Sequence, residues 1–443
     1  MTDPTQRKYV VRVRIQDLFG QYSYDLKPKA EGDSLSQLFL LYGENGTGKT
    51  KILWLLNHLL SKETGEGHRT FLAKTQFKEL AVYLNDGTVI SATRSTPTIG
   101  NFRIALDQSS KTIFFDYKVN ERGVVPSDVT NEPGHQSFHS ALPNLRITIL
   151  PDDRKVNAER TFYARRLAAA REAPDFLQFV SDGEDDKDPS ALEPALTGLR
   201  SWATRRALEG SNLGQRDVNA IYADLLKRLS QTDEHSEQVS VLLDRLNTQG
   251  ERSAQFSRFG LSSAVDVGAI IKTFSDSQSS RQQIMTQVIK PYLDSNEARF
   301  AALDSLRGIL TTFVDELNIR FFKHKNLSFD LGAGVQITSN GSKLDPKVLS
   351  SGERQLLVLF CNVAQASDRD SIFIIDEPEL SLNVDWQRNL ISALQKLAAG
   401  NIQFIFATHS LELLARHRSN VAELIGKPSA GSTAVQTKQE TQE

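Results

Sequence analysis

Eight residues constrain this chain more than any other feature: Gly43-Glu44-Asn45-Gly46-Thr47-Gly48-Lys49-Thr50. They match G-x-x-x-x-G-K-[ST] in full. Before them, Leu38-Phe39-Leu40-Leu41-Tyr42 is an unbroken apolar run, the mark of a strand buried on both faces. After them, Ile52-Leu53-Trp54-Leu55-Leu56 reads as a helix packed on that strand. Strand, glycine loop and helix in that order make a cradle for phosphate. Glycine removes the Cβ that would hold an anion off the backbone. The N–H groups of residues 45–50 can then converge, and the helix N-terminus adds positive potential. Lys49 would neutralise the β- and γ-phosphates, and Thr50 would offer a hydroxyl to Mg²⁺. A glycine turn with a chance lysine fits the same letters, but the flanking strand and helix argue against it.

The distal half carries matching chemistry. Ser371-Ile372-Phe373-Ile374-Ile375-Asp376-Glu377 is an apolar strand ending in two acids. A carboxylate at a buried strand end can hold Mg²⁺, and Asp376 is placed for that. Glu377 would then act as base or positioner for an attacking water. A solvated acidic turn is the plainer reading of the same letters, and the phosphate loop weighs against it. Asn401 to Ser410 is a second buried-strand pattern, ending at His409. It follows one strand–helix–strand step later, so Lys49, Asp376 and His409 can share one sheet edge, where open α/β sheets bind ligands. Leu349-Ser350-Ser351-Gly352-Glu353 precedes a helix-like run, and its small hydroxyl residues and glycine suit an anion. The same residues also form an N-cap box, Ser350 with Glu353 three positions on, and the two readings are compatible.

Composition narrows the class. The chain has 443 residues, with 52 Lys+Arg against 54 Asp+Glu and a formal net charge of -2. No uniform basic field dominates it, though a local basic patch on nucleic acid remains open. The single cysteine, Cys361, excludes an internal disulfide framework and a cysteine-rich zinc module, and fits a reducing compartment. The polar start lacks a signal-peptide core, and no apolar run approaches the roughly eighteen residues of a membrane span. The expectation is a soluble, cytoplasmic, globular protein.

Residues 9–26 alternate with period two and predict strands; residues 79–93 predict a hairpin about Asn85-Asp86-Gly87; Leu145 to Leu150 is a further strand. From 155 to 320 the texture turns helical, with Ala168-Ala169-Ala170, Ile221 to Leu229 and Val239 to Leu246 as helical stretches. Asp182 to Asp186, Gly210-Ser211-Asn212 and Gly250-Glu251-Arg252 read as turns between them. From Lys427 the chain is Ser-, Thr-, Gln- and Glu-rich and reads as a disordered tail. The expected layout is α/β: residues 1–154 as one half of a split domain, 155–320 as a mainly α-helical insertion, 321–426 as the other half, and 427–443 as tail.

Taken together, these motifs resemble the ABC-type ATPases, and within them the heads of the SMC, RecF and OLD group. Leu349 to Glu353 resembles the superfamily signature, Asp376-Glu377-Pro378 its Walker B motif, Ala407-Thr408-His409-Ser410 its switch loop, and Glu379-Leu380-Ser381-Leu382-Asn383 its D-loop. The likeness covers residues 1–95 and 320–420. It implies a mixed sheet with helices, ATP and Mg²⁺ as ligands, and a head-to-tail dimer around two ATPs, with higher oligomers open. Gly43, Asn45, Gly46, Thr47, Gly48, Lys49 and Thr50 of one subunit would face Ser350, Ser351, Gly352 and Glu353 of the other, with His409 sensing the γ-phosphate. Gln76 is a candidate for the Q-loop, and Tyr22 and Tyr24 for stacking on adenine.

The interval between the motifs is too long for a transporter motor and lacks the sustained heptads of SMC arms. No effector domain is visible after His409. The profile is similar to stand-alone ATPase subunits of two-gene anti-phage systems such as PARIS and Septu. This implies a regulatory ATPase that gates or scaffolds a separate effector such as a nuclease. A RecF- or SMC-like DNA-binding ATPase in repair is the alternative. Arg154, Lys155, Arg160, Arg165, Arg166 and Arg171, with Arg200, Arg205 and Arg206, would be a backbone-binding patch or simply a solvated helix face. The acidic run Asp182 to Asp188 lacks the pattern of an EF-hand loop and reads as solvated.

Overall fold

The period-two stretch at the start does form strands. The protein is described by a computed structural model. It covers residues 7–62, 67–95, 99–108, 111–151, 191–229, 239–263, 266–277, 279–425 and 427–428. Contacts divide the chain into two units, Met1–Ala191 with Arg369–Glu443, and Leu192–Asp368. The first unit begins with β1 (Val10–Leu18), β2 (Tyr22–Leu26), α1 (Gly32–Gln37), β3 (Leu38–Tyr42) and α2 (Lys49–Leu60). It continues with α3 (His68–Lys74), β4 (Glu79–Leu84), β5 (Val89–Thr93), β6 (Phe102–Gln108), β7 (Lys111–Tyr117), α4 (Pro133–Ala141) and β8 (Ile147–Leu150). Strands β1, β2 and β4–β7 pair antiparallel, and β4–β5 is the hairpin expected about Asn85-Asp86-Gly87. Arg94, buried in this unit, donates to the carbonyls of Leu72, Ala73, Thr75 and Phe77 and so closes the C-terminal end of α3.

The second unit holds α5 (Leu192–Leu229), α6 (Val239–Ser257), α7 (Val267–Ser275), α8 (Ser279–Arg320), β9 (Asn326–Asp330), β10 (Gly334–Ser339), β11 (Ser342–Lys343) and α9 (Ser351–Ala366). Two of the expected turns are helix instead: Gly210-Ser211-Asn212 lies within α5 and Gly250-Glu251-Arg252 within α6. The glycines are there for close approach. A Cβ on Gly210 would come within 2.6 Å of Leu303, and one on Gly250 within 2.6 Å of Val267. Helix α6 runs alongside α8 in the same direction, and Arg245–Asp294, Arg252–Asp304 and Arg258–Asp315 form a ladder of ion pairs. Leu242, Leu246 and Leu293 fill the seam.

The boundary expected at 320 falls elsewhere, after Asp368. Helix α9 lies against α5 and α8. Phe360 meets Phe321 edge-on at 5.6 Å, and Arg206 pairs with Asp368 at 2.8 Å. These contacts group the three-stranded sheet β9–β11 and α9 with the helices.

The chain then completes the first unit with β12 (Ser371–Asp376), α10 (Val384–Ala398), β13 (Ile402–Thr408), β14 (Val421–Glu423) and β15 (Lys427–Pro428). A parallel sheet forms in the order β14-β3-β13-β12-β8, drawing strands from both ends of the sequence. Every residue of β12 and β13 is buried, which explains their continuous apolar runs. On one face Phe39, Leu41, Ile372, Ile374, Ile405 and Ala407 join the core shared by α2 and the antiparallel strands. Phe373, Phe404 and Phe406 alternate with them, in ring contact with one another. Gln403, fully buried on β13, ties the two sheets: it accepts from Val10 N–H at 2.8 Å and donates to Val10 O at 2.8 Å and Leu35 O at 2.9 Å.

Lys427 and Pro428, expected to open a disordered tail, pair with β2 instead. Main-chain pairing at a sheet edge needs no apolar side chain, so composition does not reveal it. The helix about Ala168, the basic stretch from Arg154 to Arg171, the acidic run 182–188 and residues 429–443 lie outside the described residues. Among the described residues no helix is long and apolar enough to cross a membrane.

Candidate functional site

The parallel sheet decides where the chemistry gathers. Register places Tyr42 of β3 opposite Thr408 of β13, and Ala407 of β13 opposite Asp376 of β12. The glycine loop, the switch loop and the acidic pair therefore leave the same sheet edge from three neighbouring strands. Two strand spacings, about 10 Å, separate the outer two.

The loop follows β3 and ends at Gly48, the N-cap of α2, whose φ is 87°. Gly46 has φ 84°. Both values suit glycine, and the space a Cβ of Gly46 would enter is open. Lys49 is buried, and its ammonium donates to the carbonyls of Gly43 at 2.8 Å and Glu44 at 2.9 Å. Thr47 braces the loop by donating to Glu44 O at 2.7 Å. Asn45 and Thr50 are exposed. The β1–β2 turn forms a wall: a Cβ on Gly48 would meet Leu18 at 3.1 Å and Phe19 at 3.5 Å.

Tyr24, a candidate for adenine, has its ring buried and its hydroxyl donating to Thr47 O at 2.9 Å. Burial, with Tyr22 beside it, pushes that hydroxyl up to about 12, so it stays a donor. Tyr24 thus supports the loop, while half-buried Tyr22 stacks on it at 5.9 Å. Gln76 lies beside the same turn, its carbonyl accepting from Phe19 N–H at 3.0 Å.

On β12, Asp376 is 2% exposed. Glu377 follows with φ 44°, a left-handed conformation rare outside glycine, and its N–H still pairs with Ala407 O at 2.9 Å. Leu380 and Leu382 N–H bond back to the carbonyls of Glu377 and Glu379, winding the segment into a tight turn. That turn brings Glu379, 4% exposed, under the switch loop. Its Oε1 accepts from Thr408 Oγ1 at 2.6 Å and from His409 N–H at 3.0 Å. His409 Nδ1 sits 3.6 Å from Glu377 and 3.4 Å from Glu379. Asn383 caps α10 by accepting from Trp386 N–H at 2.9 Å.

A divalent cation fits the donor set here. Thr50 and Asp376 supply hard oxygens, the kind Mg²⁺ takes while keeping waters and substrate oxygens for its other positions. Among the described residues no cluster of three or more His, Cys, Asp or Glu could hold a metal by itself.

Ser350, Ser351, Gly352 and Glu353 belong to the second unit. Ser350 caps α9, and its side chain and that of Glu353 close the reciprocal box. Glu353 also receives Lys325 Nζ on both oxygens at 2.7 Å. Burial alone would raise this carboxyl; the bonds from Lys325 and Ser350 outweigh it and hold it below the usual range. Expected among nucleotide-contacting residues, Glu353 spends its oxygens on the cap and on Lys325, and a carboxylate would repel a phosphate. Lys325, 28 positions away, carried no sequence signal. Cys361 is fully buried, and burial pushes its thiol far up, so it is a core residue.

A parallel sheet whose first strand runs through a glycine loop into a helix, with acids and a histidine at the same edge, is the architecture of a P-loop ATPase. Residues 38–415 match the family described as "AAA domain, putative AbiEii toxin, Type IV TA system", and the chain belongs to that family. It is 35% identical over 391 residues to "Retron Ec83 probable ATPase" of Escherichia coli, covering 84% of this chain. The match spans 64% of that relative's length. Two solved structures overlap it loosely. The Smc head domain of Pyrococcus furiosus, bound to the C-terminal domain of ScpA, is 11% identical over 95% of this chain and 96% of that one, with a TM-score of 0.38. The Smc head domain of Pyrococcus yayanosii is 14% identical over 94% and 95%, with a TM-score of 0.35.

Proposed function

We propose that this chain binds and hydrolyses ATP with Mg²⁺, closes as a head-to-tail dimer around the nucleotide, and gates or scaffolds a separately encoded effector, a nuclease in anti-phage defence. One observation carries the ATPase reading: Gly43–Thr50, Asp376-Glu377 and His409 leave one edge of three adjacent parallel strands. Loop N–H groups and Lys49 hold the phosphates. Thr50 and Asp376 would hold the cation, which would supply positive charge against that of the phosphates. Glu377 orients water and takes its proton as the water oxygen bonds to the γ-phosphorus and ADP departs. His409 reads whether the γ-phosphate is present. Ser350, Ser351 and Gly352 approach the nucleotide of a second copy, and Glu353 braces them.

The defence role rests on the resemblance to stand-alone ATPase subunits of two-gene anti-phage systems, and the likeness to "Retron Ec83 probable ATPase" is compatible with it. A protein with one buried cysteine and no membrane-spanning helix among its described residues suits the cytoplasm.

The test measures turnover, binding and mass together. Glu377→Gln should bind ATP, lose at least a hundredfold in turnover, and shift to dimer mass with ATP. Lys49→Ala should lose ATP binding and with it the dimer. Normal hydrolysis by both variants would sink the mechanism. Phage challenge of cells carrying the gene and its neighbours tests defence. A protein that purifies alone and binds DNA with a steep salt dependence would favour the repair reading.

A further inference from the structure

We infer that Glu379 is the positioning residue of the switch loop, the group that fixes His409 relative to Glu377. Three observations converge. Glu379 is a carboxylate buried to 4% exposure, and nothing in the proposed chemistry uses it. One oxygen, Oε1, accepts from both the Thr408 hydroxyl at 2.6 Å and the His409 N–H at 3.0 Å, spanning the last residue of β13 and the first of the loop. The same oxygen stands 3.4 Å from His409 Nδ1. Thr408 passes the hold onward, since its Oγ1 accepts from Ser410 N–H at 2.9 Å.

The consequence is geometric. Glu377 and Glu379 lie on one tight turn closed by Leu380 N–H to Glu377 O and Leu382 N–H to Glu379 O. A shift of the acidic turn therefore carries the histidine loop with it. Glu379 Oε1 is the nearer acceptor to Nδ1, with Glu377 at 3.6 Å beyond hydrogen-bond reach, so Glu379 favours the tautomer with the proton on Nδ1 and leaves Nε2 as the nitrogen for a ligand. A buried carboxylate is costly unless bonded. Oε2 has no hydrogen-bond partner among the described residues, so the hold rests on Oε1 alone. Glutamine preserves the accepting oxygen and removes the charge, whereas alanine removes both.

This inference rests on His409 facing the γ-phosphate, so its test has one arm that does not depend on turnover. In the nucleotide-free protein at alkaline pH, ring-nitrogen NMR of His409, assigned by its loss in His409→Gln, should show one tautomer with the proton on Nδ1. Glu379→Ala should give a mixture. In steady state Glu379→Ala should lower kcat on the order of a hundredfold, the scale of an ångström's misplacement, with KM for ATP nearly unchanged. Glu379→Gln should recover most of that loss. Thr408→Val removes the hydroxyl that donates to Glu379 and accepts from Ser410 N–H while leaving the carboxylate in the chain, and should reproduce the kcat loss if Glu379→Ala does not fold, while Thr408→Ser should behave as wild type. Unchanged His409 ring signals in both Glu379→Ala and Thr408→Val overturn the inference. So does a KM rise that accounts for the whole loss. A wild-type protein without ATP turnover fails the functional reading instead, and the ring signals still decide the role of Glu379.

Discussion

Replacing Gln403 by leucine tests whether one buried amide couples the two sheets of the ATPase unit. The side chain is wholly buried, and leucine nearly matches its volume, so the change opens little cavity. What it removes is three hydrogen bonds, to Val10 N–H, Val10 O and Leu35 O, at 2.8–2.9 Å. Each buried main-chain group left without a partner costs about 1–3 kcal/mol. The added apolar surface returns about 1–2 kcal/mol. Over the three groups the net loss should be about 1–8 kcal/mol. Urea unfolding of the full chain measures it, and hydrogen exchange at the Val10 amide locates it: that amide should lose protection before the β12–β13 pair does. β1 starts at Val10 and ends at Leu18 against Gly48, so ATP affinity should weaken as well. A loss under about 1 kcal/mol, with Val10 as protected as in wild type, would refute the coupling.

Gly48→Ala places a side chain at φ 87° and 3.1 Å from Leu18; it should cost about 1–3 kcal/mol and weaken ATP binding in calorimetry. Lys325→Met leaves Glu353 with only its cap bond; thermal unfolding should show a loss of about 1–2 kcal/mol, and ATP-dependent dimer formation should weaken. His58 is buried with its Nδ1 2.8 Å from that of His68, and burial first, then His68 and Arg69, push it down to about 3. It is therefore neutral when folded, while the unfolded chain takes up a proton below about 6.5. Stability should be full above that pH and fall toward pH 3, by up to about 1.4 kcal/mol per pH unit from this group. His58→Gln should flatten the pH slope of the urea midpoint.

Some of this protein is local and was readable without a structure. Gly43–Thr50 specifies a strand, a turn of positive φ and a helix start through its own residue types. The unbroken runs Leu38–Tyr42, Ser371–Asp376 and Ile402–Thr408 announce strands buried on both faces, because only such strands need no polar face. The box of Ser350 and Glu353 is likewise a matter of spacing. Other features depend on neighbours distant in sequence. Gly210 and Gly250 look like turn residues until Leu303 and Val267 arrive 2.6 Å from where a Cβ would be. The pairing of Lys427–Pro428 with β2 uses main-chain groups that composition does not report. The order β3-β13-β12 sets the acids, the histidine and the loop at one edge, and it follows from how the sheet closes across some 370 residues, from Leu38 to Thr408. Glu379 is the clearest case. Its letter sits in an acidic turn that could face water, and only folding buries the carboxylate against Thr408 and His409, because a buried charge must find donors and these are the ones the sheet delivers.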